Sequence, residues 1–188
     1  MFEQHPPPSK ARWFSFHLTR ANAPWAYSRG APFRCIGALE LYTTLMCVVL
    51  FASNWPRDRA GQIAISGTTD NLGNTGAVGK LMTSKFPSVV ILTELTAQLE
   101  ALALDLSLRW APRDQNEEAD ALTNDEFGEF DARLRIDVDP AAIQFKVLSQ
   151  FMATSEELYR QTQEAKKTGK KPAAPKGPKK KLREEQPW

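Results

Sequence analysis

The stretch Leu108-Arg-Trp-Ala-Pro-Arg-Asp-Gln-Asn-Glu-Glu-Ala-Asp-Ala-Leu-Thr-Asn124 predicts a strand that leads directly into a short helix. Leu106, Leu108 and Trp110 alternate with polar residues, and this period of two is typical of a strand with one buried face. Pro112 ends the strand, because proline lacks the N–H group that a sheet requires. The sequence therefore predicts a strand-to-helix transition at this point of the chain.

The helix that follows is predicted from its capping residues and its acidic first turn. Asp114 or Asn116 can accept the first free N–H groups, and Glu117 and Glu118 then lie where the helix dipole favours negative charge. Asp120 follows Asn116 by four residues, so both project from one face of the helix. The residues expected to turn inward are Ala119 and Leu122. From these residues alone, a capped acidic surface helix is favoured over a catalytic one.

Two further carboxylates lie at positions that suggest a functional site. Glu40 lies in residues 36–52, a segment that is apolar almost all round, as expected for a helix buried on most faces. A carboxylate there is costly to ionise unless a partner such as a metal ion compensates it. Asp70 ends the strand-like run 62–70, and open α/β sheets place their sites at strand ends. The chain thus presents a helix Glu, a strand-end Asp and a helix Asp, Asp120, in that order.

The order and spacing of these segments resemble the RNase H-like domain that follows the reverse transcriptase in retrotransposon polyproteins. The resemblance is closest to the domain of tyrosine-recombinase (DIRS-like) elements, and it covers about Trp13 to Asp131. The matching segments are Ile36-Gly-Ala-Leu-Glu-Leu41, Thr69-Asp-Asn-Leu-Gly-Asn74, Glu94-Leu95 with the helix around it, and Trp110 to Asn124. The resemblance implies an α/β, RNase H-like three-layer fold with a mixed central sheet flanked by helices.

The resemblance also implies a metal-dependent function. Glu40, Asp70 and Asp120 correspond to three of the family's four acidic metal ligands, so they are the expected catalytic residues and the expected ligands of weakly bound Mg²⁺ or Mn²⁺. In this family, two such ions hydrolyse the RNA strand of RNA–DNA hybrids during reverse transcription. The implied partners are an RNA–DNA hybrid or another nucleic acid, and the upstream reverse transcriptase region of the ancestral polyprotein.

Two departures from the family pattern predict that hydrolysis is impaired. The family begins with a strand whose Asp lies between the two metal ions, whereas residues 1–39 contain no Asp and Glu3 is their only acid. The loop 113–116 also lacks the His that the family's cellular members place before the last Asp. We therefore expect the chain to start one strand inside the domain, with the first strand and its metal ligand missing.

The basic charge of the chain is concentrated at its C-terminus. Residues 166–188 hold nine Lys or Arg against two Glu, a balance of +7, so the other 165 residues carry −5 to give the total of +2. An acidic body favours a carboxylate metal site, and the basic tail supplies most non-specific attraction to nucleic acid. A merely solubilising tail remains an equal alternative. The expected nucleic-acid contacts are Asn71, Arg113, Asn116, Lys179, Lys180 and Lys181.

The composition argues against a membrane protein, a secreted protein and a zinc-binding protein. Polar residues such as Glu40 interrupt the longest apolar run, so no membrane span is expected, and the proline-rich N-terminus does not resemble a secretory signal. Cys35 and Cys47 indicate reduced structural thiols in an intracellular protein. Two isolated histidines and the absence of a Cys-x-x-Cys motif offer no zinc-site spacing.

Four regions are expected along the chain: a disordered lead (1–10), the incomplete RNase H-like domain (11–131), a partly helical extension (132–164) and a disordered basic tail (165–188). The predicted elements are antiparallel strands at about 11–19 and 23–28 joined by a hairpin at 20–22, helices at about 33–52, 75–82, 89–102 and 140–163, and a turn at 71–76. Trp13, Trp25 and Trp110 are expected in the core.

Two other functions remain open from the sequence. A catalytically inactive module of the same ancestry would at most bind nucleic acid through its tail. A plain α/β interaction protein would carry its acidic residues by coincidence. Convergence of Glu40, Asp70 and Asp120 in the fold would favour the first two functions over the third, because unrelated surface acids have no reason to meet.

Overall fold

The computed structural model describes residues 7–27, 30–52, 55, 61–139 and 142–167, and this part of the chain has an α/β architecture. Five α-helices accompany a sheet of two strands there. The elements are α1 (Ile36–Ala52), β1 (Ile63–Thr69), α2 (Leu72–Lys80), α3 (Ser88–Ala101), β2 (Leu104–Trp110), α4 (Glu117–Thr123) and α5 (Leu148–Lys167). Single 3₁₀ turns lie at Pro8–Lys10, Pro24–Tyr27, Pro32–Cys35, Arg113–Gln115 and Ala132–Leu134.

The two strands form a parallel pair. Ile63 lies opposite Leu104 at one end, and Thr69 lies opposite Trp110 at the other. Parallel neighbours need a crossover connection, which α2 and α3 provide here. Both strands were predicted, β2 from its alternating pattern and β1 as a strand-like run that ends at Asp70, and both are confirmed, as is the α/β class. The predicted mixed sheet is not found among the described residues, whose named strands are all in this parallel pair.

The prediction of an N-terminal hairpin is wrong. Residues 14–19 form no regular strand, and Trp13 makes a single parallel bridge with Arg135. Pro24–Tyr27 is a 3₁₀ turn, since the fixed φ and missing N–H of proline suit the first position of a helical turn. The predicted turn before it does form, because the backbone N–H of Thr19 donates to Asn22 Oδ1 at 2.7 Å.

Helix α1 is the centre of the core. Its residues Leu41, Leu45 and Met46 are fully buried, and Ile91 and Leu95 of α3 are fully buried in the same cluster. The helix predicted at about 33–52 is confirmed, and it ends where it was predicted to end. Its first predicted turn belongs to the 3₁₀ turn Pro32–Cys35. Pro32–Ala52 is apolar and long enough to cross a membrane by length and composition alone. A helix buried in the core of a domain has the same composition, because it too faces apolar neighbours.

The second and third helices begin at defined capping residues. Asn71 is the N-cap of α2, so the helix starts at Leu72 and the residues predicted as a turn at 71–76 are mostly helical. The chain was predicted to break at Phe86 and Pro87, and α3 begins directly after them. Its bounds lie within one residue of the predicted ones, because the apolar spacing of this segment is strongly helical.

The chain after Asp131 was predicted to leave the core, and that prediction is wrong. Leu148 and Met152 of α5 are buried in the core cluster. The last helix was predicted at about 140–163, but it begins at Leu148 and is described to Lys167.

A buried carboxylate explains why α5 begins where it does. Glu94 of α3 is fully buried. Its two oxygens accept the backbone N–H groups of Lys146 at 2.9 Å, Val147 at 2.7 Å and Leu148 at 2.8 Å. The first N–H groups of a helix have no partners inside it, and a carboxylate is well suited to them. Gln98 Nε2, also on α3, donates a fourth hydrogen bond to Glu94 at 2.6 Å. Through its three bonds to the backbone of residues 146–148, Glu94 anchors α5 to α3.

Both cysteines are free thiols, as predicted. Cys35 is buried, and burial raises the pKa of Cys47 to about 11. The reactive thiolate of Cys47 therefore forms only at high pH.

Candidate acidic site at the end of the sheet

Asp70 and Trp110 lie side by side at the carboxyl end of the sheet. The ladder continues one bond beyond the strands, since Ala111 N donates to Thr69 O at 3.0 Å. Trp110 Nε1 then donates to the carbonyl oxygen of Asp70 at 3.0 Å. These bonds fix the backbone of Asp70 where β1 ends.

Asn71 joins helix α1 to helix α2. Its Nδ2 donates to Glu40 Oε2 at 2.5 Å, and its Oδ1 accepts the backbone N–H of Asn74 at 3.1 Å as the cap of α2. Gly37 allows this approach, because a Cβ there would lie 3.1 Å from Asn71 Nδ2. The buried Asn74 strengthens the same junction by donating to Gly37 O at 2.9 Å. Glu40 is thereby held beside the end of β1.

Asp120 reaches the site through an arginine. Arg113 Nε donates to Asp120 Oδ2 at 2.9 Å, with side chains that are 77% and 34% exposed respectively. Arg113 belongs to the 3₁₀ turn that links β2 to α4, while Asp120 lies within α4. This ion pair therefore ties the loop after the strand to the helix after it.

The short helix α4 is confirmed, but its predicted cap is not. Asn116 occupies the N-cap position, yet its side chain makes no capping hydrogen bond. Leu122 is half-buried as expected, whereas Ala119 is exposed and not turned inward. The helix packs loosely, and none of its residues is buried.

The charges at the site act on one another. Burial raises the pKa of Glu40 above its usual value. The Asn71 hydrogen bond opposes this rise, the Asp70 charge adds to it, and the Arg113 charge lowers the pKa. The pKa of Arg113 is raised chiefly by its bond to Asp120, and more weakly by the charges of Asp70 and Glu40. The structure thus brings all three predicted carboxylates within electrostatic range of one guanidinium group.

The site does not have the form of a metal cage. Across the described ranges, no group of three acidic, His or Cys side chains is close enough to hold a metal ion. Glu40 is engaged by Asn71, and Asp120 is engaged by Arg113. The residues that the resemblance assigns to Mg²⁺ or Mn²⁺ therefore form no ready three-carboxylate cage in this arrangement, because Glu40 and Asp120 are engaged by other side chains.

The predicted nucleic-acid contacts fall into three groups. Asn71 is half-buried and committed to Glu40 and to the cap of α2. Arg113 is exposed but paired with Asp120, and Asn116 is half-buried. The three tail lysines, Lys179, Lys180 and Lys181, lie outside the described residues.

The surface beside α4 is acidic. A cleft of about 580 Å³ is lined by Asp114, Glu117, Glu118, Glu126 and Glu129, together with uncharged neighbours. The negative charge of this cleft disfavours a phosphate backbone within it.

The sequence alone did not reveal three features of this region. Trp13 and Trp25 are core residues as predicted, at 4% exposure each, but Trp110 is 51% exposed. Its position as the last residue of a strand was a signal for exposure, because strand ends lie at the rim of a sheet. The bond from Asn71 to Glu40 and the anchoring role of Glu94 both depend on residues distant in sequence, so no local pattern indicates them.

Comparisons of the chain with protein-family models, with curated proteins and with solved structures found no significant match.

Proposed function

We propose that the chain is an RNase H-like domain derived from the reverse transcriptase polyprotein of a DIRS-like retroelement, in which hydrolysis of RNA in RNA–DNA hybrids is impaired. The support is the order of Glu40, Asp70 and Asp120 along the chain together with their grouping around Arg113. A helix, a strand end and a second helix each supply one carboxylate.

The electrostatic grouping around Arg113 carries the proposal. Asp70 lies 30 residues after Glu40, and Asp120 lies 50 residues after Asp70, so no local pattern requires them to meet. An interaction protein with coincidental acids would place such residues on separate surfaces. Their grouping at the carboxyl end of a parallel pair is where α/β folds build sites.

The impairment follows from the state of the same side chains. Two-metal hydrolysis needs carboxylates that are free to bind Mg²⁺. Here Asp120 is paired with a cation and Glu40 accepts a short hydrogen bond, and no metal-binding group of three is found in the described ranges. Glu40 and Asp120 are therefore engaged by the chain's own side chains instead of being open to a metal ion.

The same observation favours a second candidate, a catalytically inactive module of this ancestry that binds nucleic acid. The acidic cleft beside α4 repels phosphates, so binding would fall to the basic residues 166–188. Such binding would be independent of sequence and would weaken steeply with salt.

Cleavage of a labelled RNA–DNA hybrid in Mg²⁺ tests the proposal. The proteins to compare are this chain, a version with an added N-terminal strand that carries Asp, and the Asp120→Asn variant of that version. We expect no cleavage by the chain, cleavage by the extended version and loss of that cleavage in the variant. Robust cleavage by the unextended chain would overturn the impairment, and an extended version without activity would favour the inactive module.

A binding measurement separates the second candidate. Fluorescence anisotropy of the labelled hybrid at two salt concentrations compares the full chain with a chain ending at Lys167. We expect binding that falls with salt and is lost without the tail. Equal binding by both chains would contradict the assignment of binding to the tail.

A further inference from the structure

A cleft of about 420 Å³ lies between helix α1, the N-terminal segment 11–18 and helix α4. Leu39, Thr43 and Cys47 line it from α1 at a spacing of four residues, and Leu122 is among the residues that line it from α4. Neither strand of the sheet and none of the three carboxylates of the acidic site belongs to its described lining. We call it the aromatic cleft, and it is distinct from the acidic site.

A row of four aromatic rings runs along the cleft. The ring centroid of Phe14 lies 5.9 Å from that of Phe51 and 6.1 Å from that of Phe16. The row continues to Tyr42, whose ring centroid lies 6.4 Å from that of Phe16. All four side chains belong to the lining of the cleft. Aromatic rings pack favourably against further aromatic rings, so this row offers a binding surface to a flat apolar molecule.

The hydroxyl group of Tyr42 is buried without a partner among the described residues. Only 4% of Tyr42 is exposed, and its hydroxyl makes no hydrogen bond within the described part of the chain. Tyr27, by contrast, donates from its hydroxyl to the carbonyl oxygen of Leu18 at 3.0 Å. A buried hydroxyl without a hydrogen bond is costly, and proteins rarely contain one that neither water nor a ligand satisfies. Because Tyr42 lines the cleft, a ligand bound there can accept this hydrogen bond.

The other three hydroxyl groups of the lining are already engaged. Ser15, Thr43 and Thr123 each donate to a backbone carbonyl oxygen, at 3.4, 3.2 and 2.8 Å respectively. Burial raises the pKa of Tyr42 to about 12, so its hydroxyl stays protonated and remains a donor at neutral pH. The lining therefore favours a ligand that is apolar over most of its length and carries a hydrogen-bond acceptor at the Tyr42 end.

The two ends of the ring row differ in charge. Arg12 lines the cleft at the Phe51 end, where its guanidinium carbon lies 5.7 Å from the ring centroid. Arg12 forms no ion pair within the described part of the chain. Five residues further along the same segment, His17 lines the cleft with its Nε2 atom 3.6 Å from Asp125 Oδ2. An anionic group is therefore favoured near Arg12 and disfavoured near Asp125.

The distance between the two ends limits the length of a ligand. Tyr42 and Phe51 are nine residues apart on α1, which corresponds to about 13 Å along the helix axis. Two linked aromatic rings with a polar group at each end span a comparable length. The cleft volume of about 420 Å³ also lies in the range of roughly 300–1,000 Å³ that is typical of sites for small organic molecules.

We propose that the aromatic cleft binds an elongated aromatic acid, which has two rings, a carboxylate at one end and a neutral oxygen at the other. The carboxylate pairs with Arg12, and the rings pack on Phe14, Phe16 and Phe51. The neutral oxygen accepts a hydrogen bond from the Tyr42 hydroxyl. This inference rests on the cleft alone and does not depend on the nuclease ancestry proposed above.

Isothermal titration calorimetry with the full chain tests the site. The probe is a biphenyl with a carboxylate at one end and a hydroxyl at the other, and two control compounds lack either the hydroxyl or the carboxylate. The variants are Tyr42→Phe and Arg12→Gln. Their matched controls are Tyr27→Phe and Arg20→Gln, because Arg20 lies over the Tyr27 ring at 5.0 Å and neither residue lines the cleft.

We expect saturable binding of the probe to the wild type and to both matched controls. Tyr42→Phe should weaken binding of the probe about tenfold and leave binding of the compound without the hydroxyl unchanged. Arg12→Gln should weaken binding of the probe about tenfold and leave binding of the compound without the carboxylate unchanged. Absence of probe binding, or equal affinity of the wild type for all three compounds, would overturn the proposal.

Thermal unfolding without any probe tests the Tyr42 hydroxyl itself. Tyr42→Phe should unfold at the wild-type temperature or above it, because the substitution removes an unsatisfied buried group. Tyr27→Phe should unfold at a lower temperature, because it loses the bond to Leu18. A lower unfolding temperature for Tyr42→Phe would show that its hydroxyl has a partner within the protein, and would also overturn the proposal.

Discussion

Asn71 Nδ2 donates to Glu40 Oε2 at 2.5 Å, and this bond joins residues that are 31 positions apart. The other side-chain atom of Asn71, Oδ1, caps helix α2. One amide thus positions a carboxylate on α1 and begins the helix that follows β1. Losing it should affect both stability and the electrostatics of the acidic site.

We predict that Asn71→Ala lowers the free energy of unfolding by about 1 kcal/mol, the typical loss for an N-cap. It should also raise the pKa of Glu40, because the hydrogen bond that lowers it is gone. Asn71→Ser is the matched control, since serine retains a capping oxygen but cannot reach Glu40. Chemical denaturation and NMR titration measure the two effects. Wild-type stability in Asn71→Ala would contradict the assigned cap.

The pKa of Glu40 should move in opposite directions in two variants. Arg113→Gln removes a charge that lowers this pKa, so the pKa should rise, and Asp70→Asn removes a charge that raises it, so the pKa should fall. NMR titration of the Glu40 carboxyl carbon gives both values. Shifts in the same direction would show that the charges do not act on Glu40 as described.

Glu40→Gln should be more stable relative to wild type at neutral pH than at acidic pH. The folded-state pKa of Glu40 is raised, so folding favours the neutral form of this side chain. Its contribution to stability is fully present below the unfolded pKa of 4.5 and is lost as the pH rises through the folded pKa. Glutamine stays neutral throughout. Denaturation of both proteins near pH 4 and near pH 7 measures the difference, and a constant difference would contradict it.

Glu94→Gln should destabilise the chain by roughly 3 kcal/mol. In the wild type these backbone N–H groups donate to carboxylate oxygens, whereas in the variant some of them face the N–H donors of the glutamine amide. Hydrogen bonds to charged groups are worth about 1.5–3 kcal/mol each. Glu100→Gln, an exposed change on the same helix, is the control. Urea denaturation measures the loss, and hydrogen exchange should show opening of α5. Equal stability of the two variants would remove the anchoring role.

Binding of Mg²⁺ or Mn²⁺ should be weak in the wild type and should depend on charge at the site. We expect the affinity to fall in Asp70→Asn, which removes a carboxylate, and to rise in Arg113→Gln, which removes a competing cation. Isothermal titration calorimetry compares the three proteins. Identical affinities would exclude these side chains as the source of the binding.

Much of the local structure followed from the sequence. The helix predicted at about 33–52, both strands and the short helix after Pro112 were predicted because patterns of apolar and polar residues act within a few positions of the chain. The pairing of the strands was harder to predict from the sequence. Residues 13–18 alternate like a strand, but a strand also needs a neighbour to share its hydrogen bonds, and a single-sequence pattern does not show whether one is present.

The sequence by itself determined which carboxylates are exceptional: one in an apolar helix, one at a strand end and one in an acidic helix. The tertiary structure decided what each of them meets. Glu40 contacts Asn71, Asp120 pairs with Arg113, and Glu94, which lies on a predicted apolar helix, anchors α5. Hydrogen bonds and ion pairs extend over about 3 Å in space irrespective of distance along the chain, so the partners are fixed by packing and not by local pattern.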